Sequence, residues 1–149
     1  MQRMNKLSLE AFLPYRLARA GVAVSEAFRK IYGSDYDLTI PEWRVLATLG
    51  EMEEMSAKEI GAHSLMHKTK VSRAVRSLEE RRWLKRRESE TDRREEILQL
   101  TPLGRRTYDD IVPRARAFEA KVADALGADE EAFLRALGRL EKTLPPRRR

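Results

Sequence analysis

Apolar positions along most of this chain recur at helical spacing, and in one short stretch the period changes to that of strands. Leu13, Leu17, Ala20, Val24, Ala27, Phe28 and Ile31 fall on one face of a long first helix. Pro14 is tolerated in its first turn, and Gly33-Ser34 predicts its end. Thr39 and Glu42 form a capping box for a second helix, with Leu38 and Trp43 as the hydrophobic staple around it. Trp43, Leu46 and Leu49 supply the apolar face of that helix. A second capping box, Ser56-Ala57-Lys58-Glu59, opens a short third helix carrying Ile60, and His63-Ser64-Leu65-Met66 reads as a turn. Val71, Ala74, Val75 and Leu78 then repeat at i, i+3, i+4 and i+7, which predicts a fourth helix.

The strand-like pattern follows at residues 84–88 and 96–100, with a polar, charged tip over residues 89–94 between them, as in a hairpin. Thr101-Pro102 is a helix start, cap followed by proline. A fifth helix runs through Tyr108, Ile111, Ala115, Phe118, Val122 and Leu126, is expected to kink at Pro113, which removes one internal hydrogen bond, and stops at Gly127. Phe133, Leu137, Leu140 and Leu144 define a sixth, and residues 145–149 form a basic tail. The fold class is therefore mainly α with a small β-wing.

Charge sharpens this picture. The 149-residue chain carries a net charge of +6. Between Lys68 and Arg94 stand eleven basic and five acidic residues, so the whole excess is concentrated in that stretch. A basic fourth helix followed at once by a charged hairpin is the order of a winged helix-turn-helix, whose second helix enters the major groove of DNA. His67, Lys68, Thr69, Lys70, Ser72, Arg73 and Arg76 are the candidate groove-facing set, because Val71, Ala74, Val75 and Leu78 turn inward. Arg and Lys suit guanine O6 and N7, Thr the thymine methyl, and Ser a phosphate oxygen. Arg93 and Arg94 sit at the hairpin tip, where a guanidinium can enter the narrow minor groove.

Residues Ser56 to Gly104 resemble the MarR family of regulators (multiple antibiotic resistance regulators). The likeness rests on Asp92-Arg93-Arg94 in the wing and Leu100-Thr101-Pro102-Leu103-Gly104 after it. The flanking helices are similar in number and length, so it extends over nearly the whole chain. The resemblance implies a triangular homodimer interlocked through the first, fifth and sixth helices, with Arg94 as the wing arginine and Asp92 as the residue bracing the wing. It also implies a repressor released by a small ligand, often a phenolic or aromatic carboxylate. Two positions depart from the family pattern. Arg82 stands where a glycine is usual after the recognition helix, and His67 stands where Ser or Asp would cap better.

The expected organisation is a single chain over residues 1–149. A winged helix-turn-helix lobe covers residues 39–101, and dimerisation helices cover residues 9–33 and 102–144. Dimerisation also follows from size, since a DNA-binding unit of about 50 residues offers little core of its own. A symmetric dimer sets two recognition helices about 34 Å apart and calls for a pseudo-palindromic double-stranded operator. For an aromatic anion the candidate ligand residues are Tyr15, Arg16 and Arg19 on the first helix, with Trp43 and Arg44 on the second.

The remaining chemistry is largely excluded. The absence of cysteine removes disulfides, thiolate metal sites and thiol redox sensing. His63 and His67, the only imidazoles, lie four apart across the predicted turn, so no metal and no cofactor is expected. No Ser-His-Asp set, phosphate-cradling glycine loop or HExxH appears, which argues against an enzyme. No apolar run spans a membrane and no secretory signal opens the chain, which points to the cytoplasm. The alternative to a ligand-released regulator is a ligand-independent or architectural DNA-binding protein.

Overall fold

The computed structural model describes residues 6–144, so the basic tail at 145–149 lies outside the described residues. The elements run α1 (Leu13–Tyr36), α2 (Ile40–Met52), β1 (Glu54–Ser56), α3 (Ala57–Ser64), α4 (Lys68–Glu80), β2 (Leu84–Glu88), β3 (Glu96–Leu100), α5 (Pro102–Leu126), a single 3₁₀ turn and α6 (Glu130–Thr143). The three strands form one antiparallel sheet in the order β1-β3-β2. The β2–β3 hairpin pairs Leu84 with Leu100 and Glu88 with Glu96. Two compact units divide at Ile40 and Pro41.

The first unit contains α1. It continues past Gly33 to Tyr36, and Asp37 takes the left-handed conformation at φ 50°, donating its N–H to the Gly33 carbonyl at 2.8 Å. The predicted stop at Gly33-Ser34 is thus displaced by one turn. Aspartate tolerates this backbone region better than most residues, so it can terminate a helix where no glycine is present. Phe28 and Tyr32 meet edge to face with centroids 5.0 Å apart. Leu13, Leu17, Val22 and Val24 remain exposed on α1.

The second unit holds the winged helix-turn-helix. Val45, Leu46 and Leu49 of α2, Ile60 of α3, Val71, Ala74, Val75 and Leu78 of α4, Leu84 and Leu98 of the hairpin and Ile111 of α5 are all buried. At about 1.5–3 kcal/mol for each large aliphatic side chain removed from water, this is a substantial core. The Ser56–Glu59 capping box is complete: Ser56 Oγ accepts from the Glu59 N–H at 3.2 Å, and Glu59 Oε2 accepts from the Ser56 N–H at 2.8 Å.

α3 extends through His63 and Ser64, so the turn to α4 is shorter than predicted. Leu65 ends α3 at φ 54° and is well exposed. The strand β1 is absent from the periodicity reading. Its three residues are too few to show an alternation.

At the other end of α4, Arg82 occupies the left-handed region at φ 59°, where glycine is usual. The helix closes through Trp83 N–H to Leu78 C=O at 3.0 Å and Arg82 N–H to Glu79 C=O at 2.9 Å. Thr101 fastens this turn to α5. Its hydroxyl donates to the Arg82 carbonyl at 2.6 Å and its N–H donates to the Trp83 carbonyl at 3.0 Å. The same hydroxyl accepts from the Gly104 N–H at 3.1 Å and so caps α5. A Cβ on Gly104 would fall inside the van der Waals shell of the Trp83 carbonyl oxygen, so only glycine fits. α5 continues unbroken through Pro113 to Leu126, and Gly127 follows as expected.

Two substitutions test this junction. Gly104→Ala is expected to destabilise the chain by about 2–3 kcal/mol, since the clash is with backbone. Arg82→Gly should instead stabilise it by about 1 kcal/mol, by relieving the left-handed strain. Denaturant midpoints measure both, and a Gly104→Ala variant as stable as the parent contradicts the close approach.

Candidate nucleic-acid interface

α4 presents two chemically opposite faces. Val71, Ala74, Val75 and Leu78 are buried, while Lys68, Thr69, Lys70, Ser72, Arg73 and Arg76 are exposed. The geometry therefore gathers the polar set named from the sequence on one accessible surface. His67 is the N-cap of α4. Its Nδ1 accepts from the Thr69 N–H at 3.4 Å, a long bond, which requires an imidazole unprotonated at that nitrogen. Arg76 Nε bonds Glu80 Oε1 at 3.1 Å, with both side chains largely in solvent. Such a pair is weak and screened by salt, so the guanidinium can exchange partners.

The wing tip is organised by a residue not singled out in the sequence reading. Ser89 is buried, and its hydroxyl accepts from the N–H groups of Thr91 and Asp92, each at 3.3 Å. The Ser89 N–H donates to Glu95 C=O at 3.0 Å, and the Glu95 N–H donates to Asp92 C=O at 2.9 Å. Asp92 Oδ1 accepts from the Arg94 backbone N–H at 3.0 Å. Asp92 thus holds the backbone of Arg94. The side chains of Arg93 and Arg94 stand exposed at the tip. A serine followed by a polar turn is a local signal for such side-chain-to-backbone bonding.

Not all of the basic cluster has this freedom. Arg87 donates to Glu54 Oε2 at 2.7 Å, which joins β2 to β1, and Gln99 donates to the same oxygen at 2.8 Å. The Arg87 hydrogen bond holds the Glu54 carboxyl below its ordinary value, so this clamp is complete above the usual carboxylate range and is lost as pH falls through the lowered value. Arg86 is bonded to Glu79 and Glu96, which raise its already high value. Arg81 stacks on Trp83 at 5.0 Å and lies 4.0 Å from the mostly buried Glu42. The charge excess counted along the sequence therefore overstates the surface charge available to an anion.

The candidate ligand residues fall in both units. In the first, Arg19 lies 5.8 Å over the Tyr15 ring, and Arg16 is exposed beside them on α1. In the second, Trp43 stacks on Tyr108 with centroids 6.5 Å apart, and Arg44 is exposed. Arg105 adjoins that stack, 5.5 Å over Tyr108, and donates to the Gly50 carbonyl at 2.7 Å. An open hollow of about 750 Å³ lies between α3 and the start of α4, but none of the five candidates lines it. Among the described residues no group of three or more His, Asp or Glu is placed to hold a metal ion, and no helix is long and apolar enough to cross a membrane.

Comparison with known proteins agrees with this architecture. Residues 36–95 match the model of the MarR family. The chain is similar to the HTH-type transcriptional regulator YwoH of Bacillus subtilis, with 33% identity over 99 residues covering 66% of this chain and 72% of that one. It is also similar to the HTH-type transcriptional regulator PecS of Dickeya dadantii, with 30% identity over 132 residues covering 86% and 79% respectively. Among solved structures, BpsR of Bordetella bronchiseptica, whose DNA binding is regulated by 6-hydroxynicotinic acid, superposes with a TM-score of 0.79. That match has 22% identity and covers 96% of this chain and 100% of that one, a likeness of fold. The exposed basic helix, the braced wing and these relatives lead to one conclusion: the chain belongs to the MarR family of transcriptional regulators.

Proposed function

We propose that this regulator binds a pseudo-palindromic operator as a homodimer and represses nearby genes until a small aromatic acid releases it. The observation that carries the reading is the pairing of an exposed polar face on α4 with a wing whose tip is internally braced and presents Arg93 and Arg94. In this reading Lys68, Thr69, Lys70, Ser72, Arg73 and Arg76 face the major groove, with His67 at its edge. Arg94 and Arg93 enter the flanking minor groove, and Asp92 braces them.

Dimerisation is supported by apolar side chains that the single chain leaves in water. Leu13, Leu17 and Val24 on α1 and Phe133 and Leu134 on α6 are exposed, and α6 has no buried residue at all. A second copy covering these faces gives residues 9–33 and 102–144 their dimerisation role, and leaves residues 39–101 as the DNA-binding lobe. In this reading Tyr15, Arg16 and Arg19 of the first unit, and Trp43 and Arg44 of the second, are candidates for aromatic walls and guanidinium partners of a carboxylate. The regulation of BpsR by an aromatic acid favours that ligand class. Release works by population shift: the ligand prefers a lobe spacing that no longer fits the operator. Each tenfold loss of DNA affinity requires about 1.4 kcal/mol of differential ligand binding.

Selection of bound fragments from genomic DNA, followed by a screen of aromatic acids for release, tests the whole reading. A sequence-neutral profile, or a selected operator that no acid releases, returns the architectural or ligand-independent alternative. On a selected operator, Arg94→Ala should weaken binding by about tenfold, chiefly at flanking A/T positions. Ser89→Ala should speed hydrogen exchange at the Thr91 and Asp92 amides and weaken binding in the same direction, leaving α4 protected. Unchanged affinity in both variants removes the wing from the interface. Sedimentation at micromolar concentration is expected to give twice the 17.3 kDa chain mass, and a monomer contradicts the dimer.

A further inference from the structure

We propose that Arg86 is a positioning residue that locks the wing at a fixed angle to the recognition helix, and so sets where minor-groove readout falls relative to major-groove readout. This rests on the DNA-binding reading above and adds a residue to it.

α4 and β2 are joined by three residues, and the middle one, Arg82, sits in a left-handed turn. On the helix side of the sheet, Leu84 and Leu98 are buried with Leu78 of α4, which fixes the base of the hairpin. Along β2 that face continues two residues on, at Arg86, which stands opposite Leu98 in the register. Here the contact is no longer apolar. Arg86 Nε donates to both oxygens of Glu79 on the last turn of α4, at 3.0 and 3.1 Å. A terminal nitrogen donates to Glu96 Oε2, at the start of β3, at 2.6 Å. One planar cation therefore ties α4 to both strands of the hairpin, one step beyond the core in the direction of the tip.

Two features separate this from a DNA contact. The guanidinium is shared between two carboxylates, so the local charge is net negative and repels phosphate. A rigid fork that bonds two carboxylates in different directions also defines an angle, which a lysine ammonium does not. The pairs are partly exposed and contribute little to global stability. Their effect lies in geometry.

The chain contains no cysteine, so paired spin labels at Ser72→Cys and Glu90→Cys report the α4-to-wing distance without background. Labelled full-length chain diluted into unlabelled chain isolates the distance within one protomer. Arg86→Met is expected to broaden or shift that distance distribution, with a melting temperature within about 3 °C of the parent. Glu79→Gln combined with Glu96→Gln should do the same, and carries the test if Arg86→Met does not fold. Arg86→Lys should restore the distribution only in part.

On a selected operator, Arg86→Met should lose about fivefold in affinity, confined to the flanking positions, and the loss should vanish in an Arg94→Ala background. An unchanged distance distribution overturns the proposal. So does an equal affinity loss in both backgrounds, or a uniform loss with a salt slope reduced by about one, which marks a direct phosphate contact. If Arg94→Ala binds like the parent, the wing reading fails by itself, and the label distances still decide whether Arg86 holds the wing.

Discussion

The close approach of α5 to the turn after α4 is the constraint on which the DNA-binding lobe depends. Gly104 meets the Trp83 carbonyl with no room for a Cβ, and Thr101 ties the Arg82 and Trp83 carbonyls to the first turn of α5. This one junction fixes the exit of α4, the entry of β2 and the start of α5 together. The Leu-Thr-x-x-Gly pattern acquires a physical meaning from it: the threonine is both cap and clamp, and the glycine is the space between two backbones. The left-handed turn at Arg82 is a strain that this arrangement sustains, as the bonds on either side of it over-determine its conformation.

Charge in the lobe divides into two uses. Arg81, Arg86 and Arg87 are engaged with Glu42, Glu79, Glu96 and Glu54, and join helices and strands to one another. Lys68, Lys70 and Arg73 on α4, with Arg93 and Arg94 on the wing, are exposed at the surface proposed to meet DNA. Glu79 within the basic stretch and Glu96 just beyond it belong to the first use. Without Glu79 and Glu96 the hairpin would gain positive charge but lose its fastening to the helix.

Much of this was legible in the sequence, because the relevant signals are local. The hairpin strands at 84–88 and 96–100 and the helix start at Thr101-Pro102 agree with the structure residue for residue. The Ser56–Glu59 box and the inward face of α4 were equally readable, as capping and 3.6-residue periodicity need only near neighbours. What escaped depends on distant partners. The strand β1 exists through its pairing with β3, which places Glu54 beside Gln99 across 45 positions of sequence. Asp37 ends α1 in place of Gly33 because aspartate tolerated the left-handed turn, a choice that composition does not decide. Arg86 and Arg87 entered the sequence reading only in the count of basic residues between 68 and 94, since their carboxylate partners lie on other elements, and Ser89 gave only the weak signal of a polar turn. The five ligand candidates divide between the two units, Tyr15, Arg16 and Arg19 in the first and Trp43 and Arg44 in the second, and such residue types also serve ordinary packing and surface roles.

In the proposed complex α4 occupies the major groove while the wing reads the adjoining minor groove, in two copies related by symmetry. Methylation interference on a selected operator tests it most directly, because guanine N7 methylation blocks the major groove and adenine N3 methylation blocks the minor. Two clusters of N7 interference centred about 10 base pairs apart are expected, each flanked on its outer side by N3 interference. A single cluster, or N3 interference without N7 interference, contradicts it.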